Sequence, residues 1–527
     1  MYNHHRAQLN MTKRIKLIAQ NKLIKIFMWF ILFLLLLLPF TYKRLYGSPN
    51  FQCDSETLVI GMIRAQQEGE YISKYGLGRY YNISGAMTNY HEEFCTNDSE
   101  TIDGYLVNSN ILKLEKNEYT TSLKNASFIV FENGDSFDIS DFEEKDDEYG
   151  DGYIYITIDA PYQINFNRNG SLINTRFYDI NKNELPSFLL SDYVSQYGLQ
   201  GKIYSAIAKL IGGGFYKEIE SLLNIVLTSL IFIAICYCIS LKYNNLLALC
   251  FYFTFALSPW VANFSSNLYW VEFTWFIPML IGLICSININ NKKIRIVSYI
   301  LAFTSILVKC LCGYEYLSTI MMGLIMFPVC DLVECFFKKK KMKFNDYLKP
   351  IILLSISAFL GFVLAIIIHS VLRGNGNILN GIKSIWENDV VRRTYGGSRE
   401  NFDKYYWQSF DASMFSVIKT YFNFNTDIIK GIPAKMFKPL CLFSLIALIF
   451  NLYKQKNNSI RDIILYVFSF FTSLSWFVLA KSHSYMHTHM NYVLWYFGFI
   501  QIVFYIIIKT IIYLIKDIKK ISKSNSI

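Results

Sequence analysis

Long apolar runs separated by short polar segments dominate the pattern of this chain. Ten of them approach the ~20 residues a helix needs to cross a bilayer: 26–42, 221–241, 246–262, 270–288, 296–312, 316–335, 350–372, 437–453, 463–480 and 492–515. The pattern predicts a polytopic α-helical membrane protein with about ten transmembrane helices. Between the first and second runs the periodicity changes. Ser127–Phe131, Gly152–Ile158 and Leu172–Phe177 read as strands, with Asn-Gly and Gly-Asp turn signals between them. They predict a β-rich insertion at about 85–190 within the loop 43–220. A second long polar segment, 373–436, separates helices 2–7 (221–372) from helices 8–10 (437–515).

Charge sets the sidedness of this arrangement. With the N-terminus inside, the inner segments are 1–25, 242–245, 289–295, 336–349, 454–462 and 516–527, and each is net positive. The first carries Arg6, Lys13, Arg14, Lys16, Lys22 and Lys25 without an acid, and Lys338–Lys341 form the densest run. This is the positive-inside pattern. The loops 43–220 and 373–436 are therefore extracytoplasmic. Composition agrees, with hydrophobic residues at 53% of 527 positions and a mean hydropathy of +0.26. The net charge of +11 belongs to the topology and implies no nucleic-acid partner. Leu34–Phe40 is followed by Thr41-Tyr-Lys-Arg-Leu, without the small residues of a signal-peptidase site, so the first run reads as a retained helix.

Candidate chemistry gathers on the extracytoplasmic side. Asp54-Ser55-Glu56 opens an amphipathic segment, Thr57–Gln67, close after the first helix. Asp is a favoured N-cap, and capping alone would explain Asp54 but not Glu56. Arg392 and Arg393 lie in the second loop, on the side where the charge rule disfavours them, and arginine's planar fork suits phosphate. Glu272 stands at the mouth of one helix, and Lys309 and Glu315 near another. Lys481 leads into a stretch with His483, His487 and His489, three of the seven histidines. Charged groups at membrane depth cost at least ~2.5 kcal/mol each and usually face a cavity. His483 and His487 are four apart and could share a helical face, but a third metal ligand is not evident, so contact with substrate hydroxyls or phosphate is preferred to zinc. The acidic run Asp141–Asp151 lacks the spacing of an EF-hand loop and reads as a solvated hairpin tip. Cys53 and Cys95 would tether the chain beside Asp54 if bridged in an oxidising compartment; two free thiols are equally consistent with their positions.

One apolar helix, the pair Asp54 and Glu56, a short helix and then Gly69-Glu70-Tyr71 resemble the first extracytoplasmic loop of the GT-C superfamily of polyprenyl-phosphate-dependent membrane glycosyltransferases. Asp192–Tyr204 is similar to the element that closes that loop, with Gly198-Leu-Gln-Gly201 in place of the usual prolines. The resemblance implies transfer of a sugar from a polyprenyl-phosphate donor to a glycan, lipid or protein acceptor, in assembly or modification of the cell-envelope polysaccharide at a bacterial inner membrane. It implies Asp54 as catalytic base, with Glu56 assisting it or holding a divalent cation; metal dependence stays open. Lys309, Glu315, Arg392, Arg393, Lys481, His483, His487 and Glu272 are substrate-binding candidates from chemistry and topology alone.

Other classes stay in view. A polysaccharide polymerase would share the many spans and external arginines without needing the acidic pair. A transporter would be expected to carry Gly/Pro-broken helices at matching places in two halves, and a sensor a cytoplasmic output domain, for which the inner loops are too short.

Overall fold

The computed structural model describes residues 24–42, 53–68, 73–82, 105–108, 111–131, 134–146, 152–159, 175–186, 188–212, 216–338, 344–397, 399–402, 404–454 and 456–524. The chain divides into two units, one of residues 1–49 with 217–527 and one of residues 50–216.

Helix α1 (Ile24–Thr41) belongs to the first unit. Its Leu32 carbonyl accepts a hydrogen bond from Tyr252 Oη at 3.0 Å, and Phe40 meets Phe232 edge-on at 6.0 Å.

Residues 50–216 open with α2 (Cys53–Glu68) and β1 (Gly78–Asn82). After them come β2 (Tyr105–Asn108), β3 (Ile111–Glu115), α3 (Glu118–Ser122), β4 (Phe128–Val130), β5 (Ser136–Asp146), β6 (Gly152–Ile158), β7 (Arg176–Tyr178), β8 (Phe188–Asp192) and α4 (Leu199–Ile211). Strands β2–β7 form an antiparallel sheet in the order β2-β3-β6-β5-β4-β7. Alternation builds its core: Ile154, Ile156 and Ile158 point to one face, with Leu112, Leu114, Ile129 and Phe177, while Tyr153 and Tyr155 stay half-exposed on the other. The acidic run enters β5 as far as Asp146; its remainder, 147–151, lies outside the described residues, as does Cys95.

The two ends of this unit meet. Strand β1 pairs antiparallel with β8, from Gly78 opposite Asp192 to Asn82 opposite Phe188, and α2 packs on α4 and β1. The Gly198-Leu-Gln-Gly201 stretch has a steric reason. Gly198 has φ +74°, and a Cβ on Gly201 would overlap the Gly76 carbonyl oxygen, so helix α4 reaches the 76 loop only through bare backbone.

The helical unit continues with α5 (Tyr216–Lys242), α6 (Asn245–Leu257), α7 (Pro259–Phe264), α8 (Phe273–Ile287), α9 (Lys292–Cys312), α10 (Leu317–Lys338) and α11 (Phe344–Arg373). Four short helices follow: α12 (Ile378–Ile385), α13 (Val391–Thr394), α14 (Lys404–Asp411) and α15 (Met414–Tyr421). Then come α16 (Phe437–Lys454), α17 (Lys456–Leu479), the short α18 (Lys481–Met486) and α19 (Phe499–Ser524). Among the described residues, eight helices are long and apolar enough to cross a bilayer: α1, α5, α9, α10, α11, α16, α17 and α19. The molecule is thus a multi-pass helical membrane protein.

The runs expected at 246–262 and 270–288 fold differently from the other eight. They give α6, of 13 residues, and α8, of 15. At 1.5 Å per residue these reach only ~20–22 Å, short of the ~30 Å hydrocarbon layer. Ser258 is the cause at one end. It sits extended before Pro259, and its Oγ accepts from Val261 N at 3.2 Å, so one helix stops and α7 starts in a new direction.

Ion pairs fasten the basic ends of the long helices. Lys242 of α5 meets Asp331 of α10 at 2.7 Å, and Lys509 of α19 meets Asp462 of α17 at 2.5 Å. Arg461 of α17 grips both carboxylate oxygens of Glu334 on α10, each at 2.9 Å. A reporter fused after Lys341 should therefore be cytoplasmic and one inserted near Gly150 extracytoplasmic. Finding both on one side would contradict the sidedness derived from charge.

Candidate functional site

Lys242, Lys338 and Lys454 close α5, α10 and α16, so the opposite helix ends form the other face. There the 313–316 turn, the helices of 374–421 and the 480–498 segment come together. Arg373 ends α11, and after the turn at Gly374–Asn377 the chain runs back as α12. The helix then passes through a π-helical turn, Trp386–Val390, into α13. Asp389 lies in this turn and faces inward, behind buried Gly381 and Ile385 at helical spacing. π-Turns are rare and frequent at functional sites.

Asp389 is the hub of the face. Arg373 is paired with its Oδ2 and also donates from Nε to Ser384 Oγ at 2.9 Å. Arg392 and Arg393 approach Asp389 Oδ1 at 3.8 and 3.9 Å. Arg393 also reaches Glu315 at 3.3 Å, and Arg392 lies over the Tyr406 ring at 5.2 Å. Buried Lys309 donates to the Gly313 carbonyl at 2.6 Å, within electrostatic reach of Glu315 and Arg393. Among the described residues four cations thus face two carboxylates, an excess of two positive charges. Arg392 is the open member, 25% exposed against 11% for Arg393 and 7% for Arg373.

The histidine segment adjoins this cluster. The His483 and His487 rings lie 4.3 Å apart and His487 and His489 5.5 Å apart. Burial, then the neighbouring imidazoles, Arg393 and Arg392 hold His483 well below the ordinary histidine range. His487 is pushed down to about 3, chiefly by burial and then by His489, Arg393 and Arg392. Both are neutral at physiological pH, and Nδ1 of each has no hydrogen-bond partner. A site of this kind, an excess of guanidinium charge beside two neutral imidazoles, suits an anion with hydroxyl-bearing substituents. Behind it, Tyr316 Oη donates to Asn491 Oδ1 at 2.9 Å and Asn491 Nδ2 to Tyr421 Oη at 3.1 Å, fixing the 480–498 segment to α10 and α15.

Of the residues singled out from sequence, Lys309, Glu315, Arg392, Arg393, His483 and His487 are gathered here. Lys481 is engaged elsewhere, its Nζ donating to the Phe410 carbonyl at 2.8 Å. Glu272 is fully buried before α8. Asp54 and Glu56 belong to the 50–216 unit. Asp54 is the second residue of α2 as described; its side chain lies outside the described residues, as does that of Cys53. Glu56 is half-buried. Among the described residues no group of three or more His, Cys, Asp or Glu could hold a metal ion. Sequence reasoning missed Arg373 and Asp389. Asp389 had a readable signal, its spacing of three and four residues from Arg392 and Arg393; Arg373 is joined to it only by the fold.

Comparison with family models, curated proteins and solved structures gave no match.

Two outcomes follow from this geometry. Breaking a buried ion pair by removing one partner typically costs ~3–5 kcal/mol, whereas an exposed pair is worth ~1 kcal/mol or less. Asp389→Ala should therefore lower the thermal midpoint of the purified protein far more than Arg399→Ala, which removes the exposed Arg399–Asp411 pair. Equal losses would deny Asp389 its central place. The second concerns pH. His487 is depressed in the folded chain, so below about 6.5 the unfolded chain takes up a proton that the folded chain refuses, down to about 3. Its contribution is complete above that window and lost through it as pH falls. His487→Asn should flatten the stability profile between pH 6.5 and 4; an unchanged slope would mean that the ring is already charged.

Proposed function

We propose that the protein is a GT-C-like membrane glycosyltransferase that moves a sugar from a polyprenyl-phosphate donor to an extracytoplasmic glycan, lipid or protein acceptor in cell-envelope polysaccharide assembly or modification. The observation that supports this reading best is the cationic cluster around Asp389, which offers paired guanidinium donors to a phosphate on the face opposite the basic segments. A carboxylate pair in the first turns of α2 supports it independently. In this reading α6 and α8 enter and leave as a pair, so the segments outside them keep their sides for eight long crossings or ten, and only the 258–272 connection with Glu272 depends on the count.

The acceptor hydroxyl oxygen bonds to the anomeric carbon while the bond from that carbon to the phosphate oxygen breaks. Asp54 takes the hydroxyl proton, a role that typically contributes ~10²–10⁴-fold. Arg392 and Arg393 balance the negative charge that grows on the departing polyprenyl phosphate. Glu56 assists Asp54. The neutral imidazoles of His483 and His487 hydrogen-bond the sugar beside the phosphate.

The test compares envelope glycans and glycolipids of a deletion strain complemented with variants. Asp54→Asn keeps the shape of the side chain and removes the proton acceptor. It should accumulate normally yet transfer almost nothing, with Glu56→Gln losing less. Arg392→Ala or Arg393→Ala should weaken donor use about tenfold or more, the loss of one charge-assisted hydrogen bond, with acceptor use unchanged. Normal glycan output from a well-expressed Asp54→Asn protein would remove the catalytic assignment. Were the arginine variants then inactive, a polysaccharide polymerase would be the better reading.

A further inference from the structure

In the 313–316 turn between α9 and α10, Gly313, Tyr314 and Tyr316 are each tied to a different part of the helical unit, and Glu315 sits between them. Gly313 offers its carbonyl to buried Lys309 at 2.6 Å. Tyr314 Oη lies 3.2 Å from Nδ1 of fully buried His369 on α11, and the two rings stack with centroids 5.8 Å apart at 23°. Tyr316 has φ +64°, a left-handed backbone that a bulky side chain rarely adopts. Such a conformation persists only where its surroundings over-determine it. Here Trp270 stacks on the Tyr316 ring at 5.6 Å, Trp275 and Trp476 meet it edge-on, and its Oη donates to Asn491.

The consequence falls on Arg393. His369 and Arg373 are four apart on α11 and share a face of that helix. Arg373 holds Asp389, while His369 holds the turn that carries Glu315. One helix thus sets the places of both carboxylates that Arg393 meets. Its guanidinium reaches Glu315 at 3.3 Å and Asp389 at 3.9 Å. Neither contact is the closed fork of ~2.7–2.9 Å that arginine forms when a carboxylate can approach it squarely. Arg461 does form that fork with Glu334, at 2.9 Å to both oxygens. A guanidinium shared loosely between two carboxylates can turn a pair of donors to an added anion. One closed on a single carboxylate must first break that pair.

We propose that Tyr314 and His369 are positioning residues of the anion site: their contact holds Glu315 back from a closed pair with Arg393, so that Arg393 can turn to a phosphate. They act through the turn and not by touching the anion. This rests on the phosphate reading of the arginine cluster, but not on glycosyl transfer, on Asp54 or on what the phosphate is attached to.

A double-mutant cycle on the purified full chain tests it, with the affinity for inorganic phosphate read from the concentration dependence of the thermal shift. Tyr314→Phe keeps the ring and removes the hydrogen bond. It should weaken phosphate binding about tenfold, because Glu315 then closes on Arg393. In a Glu315→Gln background the same change should alter binding less than about twofold, since the carboxylate that would close is gone. His369→Leu removes the contact from the other side and should repeat both results, which keeps the test decisive if one variant folds poorly. Residues that only stabilised the helices would lower the phosphate-free midpoint alike in both backgrounds and leave the affinity of the folded protein unchanged. Phosphate affinity unchanged in Tyr314→Phe and His369→Leu, or weakened equally in both backgrounds, would overturn the proposal while leaving a phosphate site. Wild type without a phosphate-dependent shift would overturn it together with the phosphate reading, and leave the Asp54 assignment to its own test.

Discussion

One buried carboxylate holds the site face together. Asp389 lies between Arg373 at the end of a transmembrane helix and Arg392 and Arg393 on the helix that folds back from it. Without that negative charge three guanidiniums would repel one another in a poorly solvated place, at a cost that rises steeply as the effective dielectric falls. Asp389 follows buried Gly381 and Ile385 at successive four-residue steps, so it faces inward within the π-helical turn while Arg392 keeps its partial exposure. Among the described residues neutralisation is incomplete even with Glu315. The residual positive charge is what a phosphate would meet.

The neutral histidines extend the same logic. A protonated imidazole beside Arg392 and Arg393 would add repulsion, so burial and the arginines act together to keep His483 and His487 uncharged. Their orphaned Nδ1 atoms are a cost that a hydroxyl-bearing ligand would relieve. Charge for the anion and neutral hydrogen-bonding groups for its substituent thus lie side by side, while three one-to-one ion pairs tie the long helices together toward the inner face.

Much of the membrane framework was legible in the sequence because apolar length and lysine placement are properties of composition along the chain. Two runs misled as to length. Their hydropathy says nothing about direction, and the extended Ser258 before Pro259 turns one of them into two short helices. The site was legible in its parts. Lys309 and Glu315 stood out because charges at membrane depth are costly, and Arg392 and Arg393 because the charge rule disfavours them on the outer side. Arg373 did not, since a basic residue ending a helix is ordinary, and its pairing with Asp389 exists only once α12 folds back. Lys481 stood out for the same reason as Lys309, yet its hydrogen bond to the Phe410 carbonyl is an anchor for α14. The glycines at 198 and 201 were visible in the sequence, but their purpose, a helix pressed onto the 76 loop, is tertiary.

The most direct test is a structure of the full protein in a nanodisc containing a polyprenyl phosphate. Phosphate oxygens should lie within about 3 Å of guanidinium nitrogens of Arg392 and Arg393, with Arg373 still on Asp389. A phosphate bound away from these arginines, or a cluster that stays closed on itself while the lipid binds elsewhere, would contradict the account.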